Sequence, residues 1–218
     1  MADFNTIIQK VIGELSQVPG PGVQTYAEGR IGEKVQQTFN LVFPKLWWPG
    51  YMQWFSRTID GVNGLVSQQI TTIASSTDIR AVFPANSNRP LSVLPTTLNP
   101  NTLSGTTARY IEGTNNTSYG CFSVWPRTAT TDVSIHARIH PGTFNVSDTT
   151  DIVMDNDLLV FGAAWSYAED DGTNPAQAAK FQALFEAKLD QLEKLYNKQV
   201  IDLKAGYSGE IPLDWYYA

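Results

Sequence analysis

Apolar positions recur at helical spacing from the first residues of the chain. Phe4, Ile7, Ile8, Val11, Ile12, Leu15 and Val18 form one continuous stripe, the i, i+3, i+4, i+7 pattern of an amphipathic helix. Asp3 stands where an N-cap carboxylate accepts the free N–H groups of the first turn. Pro19-Gly20-Pro21-Gly22 ends that helix, because proline removes a donor and clashes with the preceding turn. A second face follows with Ala27, Ile31, Val35, Thr38, Phe39 and Val42, and Pro44 is expected to stop it. Gly29 and Gly32 inside it each cost about 1 kcal/mol relative to Ala. They either weaken the helix or mark a close helix–helix approach.

Beyond the aromatic, kinked segment Leu46-Trp47-Trp48-Pro49-Gly50-Tyr51-Met52 the period changes. Residues from about 56 to 150 are rich in Thr, Ser, Asn, Val and Ile and are broken at Asp60-Gly61, Asn63-Gly64, Asn86-Ser87-Asn88 and Pro141-Gly142. These are strand and hairpin signals. The clearest strand is Val133 to His140, apolar at odd positions and polar at even ones, as a half-buried face requires. Cys121 to Trp125 is a shorter companion, placed at an edge by Pro126. Segment 95–107 has the composition of a long surface loop.

Helical spacing then returns. Asp155 or Asn156 can cap a helix whose body, Leu158 through Tyr167, is apolar on nearly every side; such a helix is expected inside the core. Gly172 ends it. The last helix opens with Asn174 as N-cap, Pro175 at its first position and Gln177 reaching back to complete a capping box. Phe185, Leu189, Leu192, Tyr196, Gln199 and Leu203 give it a heptad-like stripe. Lys180, Glu186, Lys188, Asp190, Glu193, Lys194 and Lys198 occupy its other faces, where mixed charges three or four apart give weak support. The order helix, helix, β-rich insert, helix, long helix predicts an α+β fold. A helical bundle would come from the two termini (1–55 and 151–206), with an inserted β-rich module (56–150) and an extended tail (207–218).

Composition narrows the function classes. With 15 basic against 21 acidic residues among 218, the net charge is −6, the wrong sign for a domain that grips nucleic-acid phosphates. One cysteine, Cys121, excludes an intrachain disulfide framework and any multi-cysteine zinc site. No apolar run is long enough to span a bilayer, and Met1-Ala2-Asp3-Phe4 opens no signal peptide. A soluble, acidic globular protein, without membrane contact, is the expectation.

Chemistry is sparse. Asp155, Asp157 and Glu169-Asp170-Asp171 can be read as paired acid–base carboxylates of a hydrolase or as magnesium ligands, but each also has a plain structural reason. Carboxylates before a helix favour its positive end, and Glu169-Asp170-Asp171-Gly172 reads as a turn between helices. His136 and His140 have the spacing of a metal pair on a helix. On a strand they stand roughly 13 Å apart, too far for one zinc with nitrogens at ~2 Å, so solvent-facing positions or contacts with another subunit fit them better. Cys121, among Tyr119, Phe122 and Val124, lacks a neighbour that would make its thiolate. No nucleophile elbow, phosphate loop or dinucleotide fingerprint occurs. Trp47, Trp48 and Trp54 admit two readings, a carbohydrate- or receptor-binding platform and a core hinge. Neither an enzyme nor a cofactor is expected.

After Gly206 the chain runs Tyr207-Ser208-Gly209-Glu210-Ile211-Pro212-Leu213-Asp214-Trp215-Tyr216-Tyr217-Ala218. Tails are usually polar, whereas this one carries Ile211, Leu213, Trp215, Tyr216 and Tyr217, residue types favoured as interface anchors. It either docks onto another protein or folds back on its own domain.

The run Leu158-Leu159-Val160-Phe161-Gly162-Ala163-Ala164-Trp165-Ser166-Tyr167-Ala168-Glu169-Asp170-Asp171-Gly172-Thr173-Asn174-Pro175, with the helix from Lys180 to Glu186, resembles head-to-tail adaptor (connector) proteins of tailed bacteriophages. The same likeness is carried by Thr58 to Gly64, Asp78 to Pro84, Asn88 to Leu91, Gly105 to Tyr110 and Phe122 to Pro126, so it spans residues 46 to 200. The first helix and the tail depart most from the pattern.

The resemblance implies a non-enzymatic structural virion protein of the neck, made in the bacterial host cytoplasm. Such adaptors form a homo-oligomeric ring, typically of twelve copies, between the portal protein and the tail or nozzle protein, and DNA passes through without sequence-specific binding. It implies portal binding by the tail residues Ile211, Leu213, Trp215, Tyr216 and Tyr217. Subunit–subunit contacts are expected along the charged flank of the last helix (Lys188, Glu193, Lys194) and on the β-module (His136, Arg138). An acidic channel wall would repel DNA rather than hold it.

Overall fold

The computed structural model describes residues 2–17, 26–59, 78–85, 87–94, 109–112, 122–125, 131–172 and 174–205, with the backbone alone for 92–94, 109–112, 122–125, 131 and 197–205. The chain is α+β and divides into two compact units, residues 1–50 with 142–218, and residues 51–141. The expected boundaries at 55/56 and 150/151 lie a few residues later along the chain.

Among the described residues the first unit holds four α-helices. α1 (Phe4–Ser16) is capped by Asp3, whose carboxylate accepts the Thr6 N–H at 2.7 Å. Its buried residues Phe4, Ile7, Ile8, Val11 and Leu15 belong to the stripe expected from spacing, Ile12 is half-buried, and Val18 lies outside the described residues. α2 (Glu28–Val42) ends just before Pro44, as expected, and a 3-10 turn, Phe43–Lys45, follows with that proline in its first turn. Proline fits there because the N–H it lacks has no intrahelical partner at that position. Gly32 is a close approach: a Cβ there would lie 3.3 Å from Ile8 Cδ1 and 3.5 Å from Phe4 Cε1 of α1. Gly29 faces open space.

α3 (Asn156–Asp171) packs against α1, α2 and α4 (Pro175–Ala205), which is why it is apolar nearly all round. Leu158, Leu159, Val160, Ala163, Ala164, Tyr167 and Ala168 are buried. Asp155 caps it through the Leu158 N–H at 3.0 Å, and Gly172 closes it in the left-handed conformation at φ +64°, the usual C-terminal device. The run Glu169-Asp170-Asp171 therefore lies in the last helical turn and not in a turn between helices. Carboxylates are unfavourable at that end of the dipole; Asp170 is offset by Lys34 at 2.5 Å and Arg30 at 3.8 Å from α2. At α4, the Asn174 side chain accepts the Gln177 N–H at 3.2 Å. Gln177 does not complete a capping box: its amide donates to the Leu15 carbonyl at 3.1 Å, tying α4 to α1. The α4 seam begins one turn earlier than its heptad stripe, at Phe181, and continues through Phe185 and Leu192, all buried.

Among the described residues the second unit contains two three-stranded sheets. One has the order β1–β6–β2, all antiparallel, from β1 (Met52–Ile59), β6 (Thr131–Arg138) and β2 (Ile79–Pro84). The other has the order β3–β4–β5 from Ser92–Leu94, Arg109–Glu112 and Phe122–Trp125, with β3 parallel to β4. Ile59, Ile79, Val82, Leu91, Val133, Ile135 and Ala137 form this unit's apolar cluster, with Phe55 packed on it. Strand β6 is the central one of its sheet, and its alternating apolar residues face that cluster. Val18 to Gly22, Asp60 to Gly64, the segment 95–107 and Cys121 lie outside the described residues.

Candidate functional site

The tail residues Ile211, Leu213, Trp215, Tyr216 and Tyr217 lie outside the described residues. The charged flank of α4 is described. Lys188 reaches Asp155 at 3.0 Å, and Lys194 pairs with Asp190 at 2.5 Å one turn away. Glu193 is half-buried on the same helix. Both Asp155 oxygens are thus engaged, Oδ1 as helix cap and Oδ2 on Lys188. Glu169 stands fourteen residues along α3, roughly 21 Å at 1.5 Å per residue, so the two carboxylates do not share one reaction centre. Among the described residues no three His, Cys, Asp or Glu side chains gather as a metal site.

Trp48 is 2% exposed and tilted against Tyr196 of α4, ring centroids 5.8 Å apart. It is a core residue and offers no face to a sugar, which removes the middle member of the tryptophan platform. A shallow groove of about 180 Å³ lies between α2, α3 and α4, lined by Gln37, Thr38, Leu41, Trp165, Glu169 and Phe185 among others. Leu41 is half exposed at its rim.

A polar and aromatic cluster lies on the β1–β6–β2 sheet. Trp54 on β1, His136 on β6 and Ala81 on β2 are register partners across the three strands. Their side chains share the face opposite the apolar cluster, because alternate residues of a strand point to opposite sides. Trp54 stacks on His136 at 4.4 Å and 7°, and meets Phe83 at 5.6 Å. Its indole is nonetheless 60% exposed. His136 is half-buried, and burial together with the nearby Arg80 guanidinium pushes its pKa down to about 4. The ring is neutral at neutral pH. His140, just past the strand, is also held below the ordinary histidine value, chiefly by burial.

Arg138 does not follow the alternation. It sits at an even, nominally solvent-facing position yet is 4% exposed. Its Nε and Nη2 both donate to Asp78 Oδ1, at 3.0 and 2.6 Å. That commitment leaves Arg138 almost no accessible surface for a neighbouring subunit. Arg80 occupies the irregularity in β2, where the register slips between Ile79 and Ala81. Sequence reasoning passed over Arg80. The signal was the order Asp78-Ile79-Arg80, charges flanking a core isoleucine.

No family model matches the chain, and no curated protein matches it in sequence.

Proposed function

We propose that the chain is a structural head-to-tail adaptor of a tailed bacteriophage, a non-enzymatic, ring-forming virion protein that joins the portal to the tail or nozzle. In this reading the helices from the two ends of the chain make a bundle that meets the portal and the neighbouring subunits. The β-rich module carries the opposite contact, and the assembled ring lines part of the DNA channel.

The observation that carries the proposal is the aromatic segment Trp215-Tyr216-Tyr217, with Ile211 and Leu213, directly following the 31-residue α4. Tyrosine and tryptophan supply large contact areas at low rotamer cost and concentrate where one protein anchors on another. Two features lend support. The segment of sequence most like the adaptors, 158–175, coincides with the helix packed against the other three, and the net charge of −6 suits a channel that must not retain DNA.

Removing residues 207–218 tests the docking role. The truncated protein is expected to retain its helix content and thermal transition while losing co-sedimentation with its portal. Full portal binding by the truncated chain would overturn the assignment of the tail.

A further inference from the structure

Among the described residues of the second unit, Arg138 and the half-buried Arg80 lie on the β1–β6–β2 sheet and are neutralised unequally. Arg138 has a carboxylate on its Nε edge, supplied by Asp78 sixty residues away in the chain. Arg80, two residues from that same aspartate, is half-buried with an Nε that meets no hydrogen-bond acceptor among the described residues. Desolvation lowers its pKa from the ordinary arginine value. The titratable group that feels its charge among the described residues is His136, which offers no negative charge at any pH. Arg57 also has an unpartnered Nε, but its Nη1 donates to the Ser56 carbonyl at 2.8 Å and its guanidinium lies over Phe55.

A guanidinium withdrawn from water without a counter-charge is costly, and its planar fork matches a carboxylate with two parallel hydrogen bonds. The same His136 that feels the Arg80 charge is stacked on Trp54, which is 60% exposed. A cation and an open aromatic surface on the two strands that flank His136 are the composition of an interface anchor. We infer that Arg80 and Trp54 form a receptor for an acidic segment of another polypeptide, with an aspartate or glutamate carboxylate on the Arg80 fork and an apolar neighbour against the indole. A single cation in a chain of net charge −6 suits one carboxylate; nucleic acid would require a basic stripe. The inference goes beyond the adaptor assignment and does not require it.

The test uses the full chain and two blocked peptides, Ac-Ala-Glu-Tyr-Ala-NH2 and its Gln counterpart, titrated while the backbone amides of β1, β2 and β6 are followed by NMR. The Glu peptide is expected to shift amides around residues 54, 80 and 136 saturably and at least tenfold more tightly than the Gln peptide. Arg80→Gln and Trp54→Ala should each abolish that preference. Arg80→Lys, which keeps the charge without the fork, should retain a weakened one and covers the case in which Arg80→Gln does not fold. Salt-sensitive self-association that disappears in Arg80→Gln would assign the acidic segment to a second copy of the chain. Equal response to both peptides, an unchanged preference in Arg80→Gln, or stronger binding of a single-stranded oligonucleotide than of the Glu peptide would overturn the inference.

Discussion

Gly162 leaves no room for a side chain. A Cβ added there would run into Thr38 Cγ2 of α2 and come within 2.9 Å of the Phe185 ring of α4. Gly162→Ala is therefore expected to destabilise the helical unit by about 1–3 kcal/mol, the usual range for overpacking, seen as a lower urea midpoint at unchanged slope. Gly29→Ala, with open space around it, should be neutral or slightly stabilising and serves as the control. His136 sets a different kind of residue-scale expectation. Its folded pKa near 4 lies below the ordinary 6.5, so between those values the unfolded chain binds the proton and the folded chain does not. Its contribution is present above about pH 6.5 and is lost as pH falls towards 4, with a slope of at most about 1.4 kcal/mol per pH unit. His136→Phe should flatten that part of the acid limb of a stability–pH curve. An unchanged slope would mean that the ring is as easily protonated folded as unfolded.

At the scale of elements, periodicity carried most of the information. The apolar face of α1, the caps at Asp3, Asp155 and Asn174, the left-handed stop at Gly172 and the near-uniformly apolar α3 are all local properties of the chain, and the structure agrees with each. Three expectations failed because the deciding partner is distant in sequence. Gln177 turns to Leu15 rather than to its own helix end. Glu169-Asp170-Asp171 stays helical, helped by Lys34 from α2. Arg138 is pulled out of the solvent-facing pattern of β6 by Asp78. The last case is open to measurement. Asp78→Ala leaves a buried guanidinium uncompensated and should cost the β-unit about 3–5 kcal/mol, read by hydrogen exchange at β6 amides. Replacing both partners together, Asp78→Leu with Arg138→Met, should restore much of that loss. Equal damage from the single and double variants would indicate that packing, and not the charge, sets the cost.

For the whole molecule, the α+β class follows from the change of period near residue 56 and its return near 150. The division into a unit drawn from both ends of the chain and a unit drawn from its middle has the same origin. Function was less legible, because no catalytic spacing or metal set stands out and the residues proposed to anchor partners owe their meaning to surfaces on other chains. Trp54 and Arg80 illustrate the difficulty: they are distant in sequence, and it is His136 on β6, stacked on Trp54 and close to the Arg80 charge, that links them. The assembly claim is tested most directly by negative-stain imaging of the purified chain mixed with its portal. The adaptor account expects a second ring stacked coaxially on one face of each portal, missing when residues 207–218 are removed. Portal rings that stay bare while the chain remains a dispersed monomer at saturating concentration would contradict it.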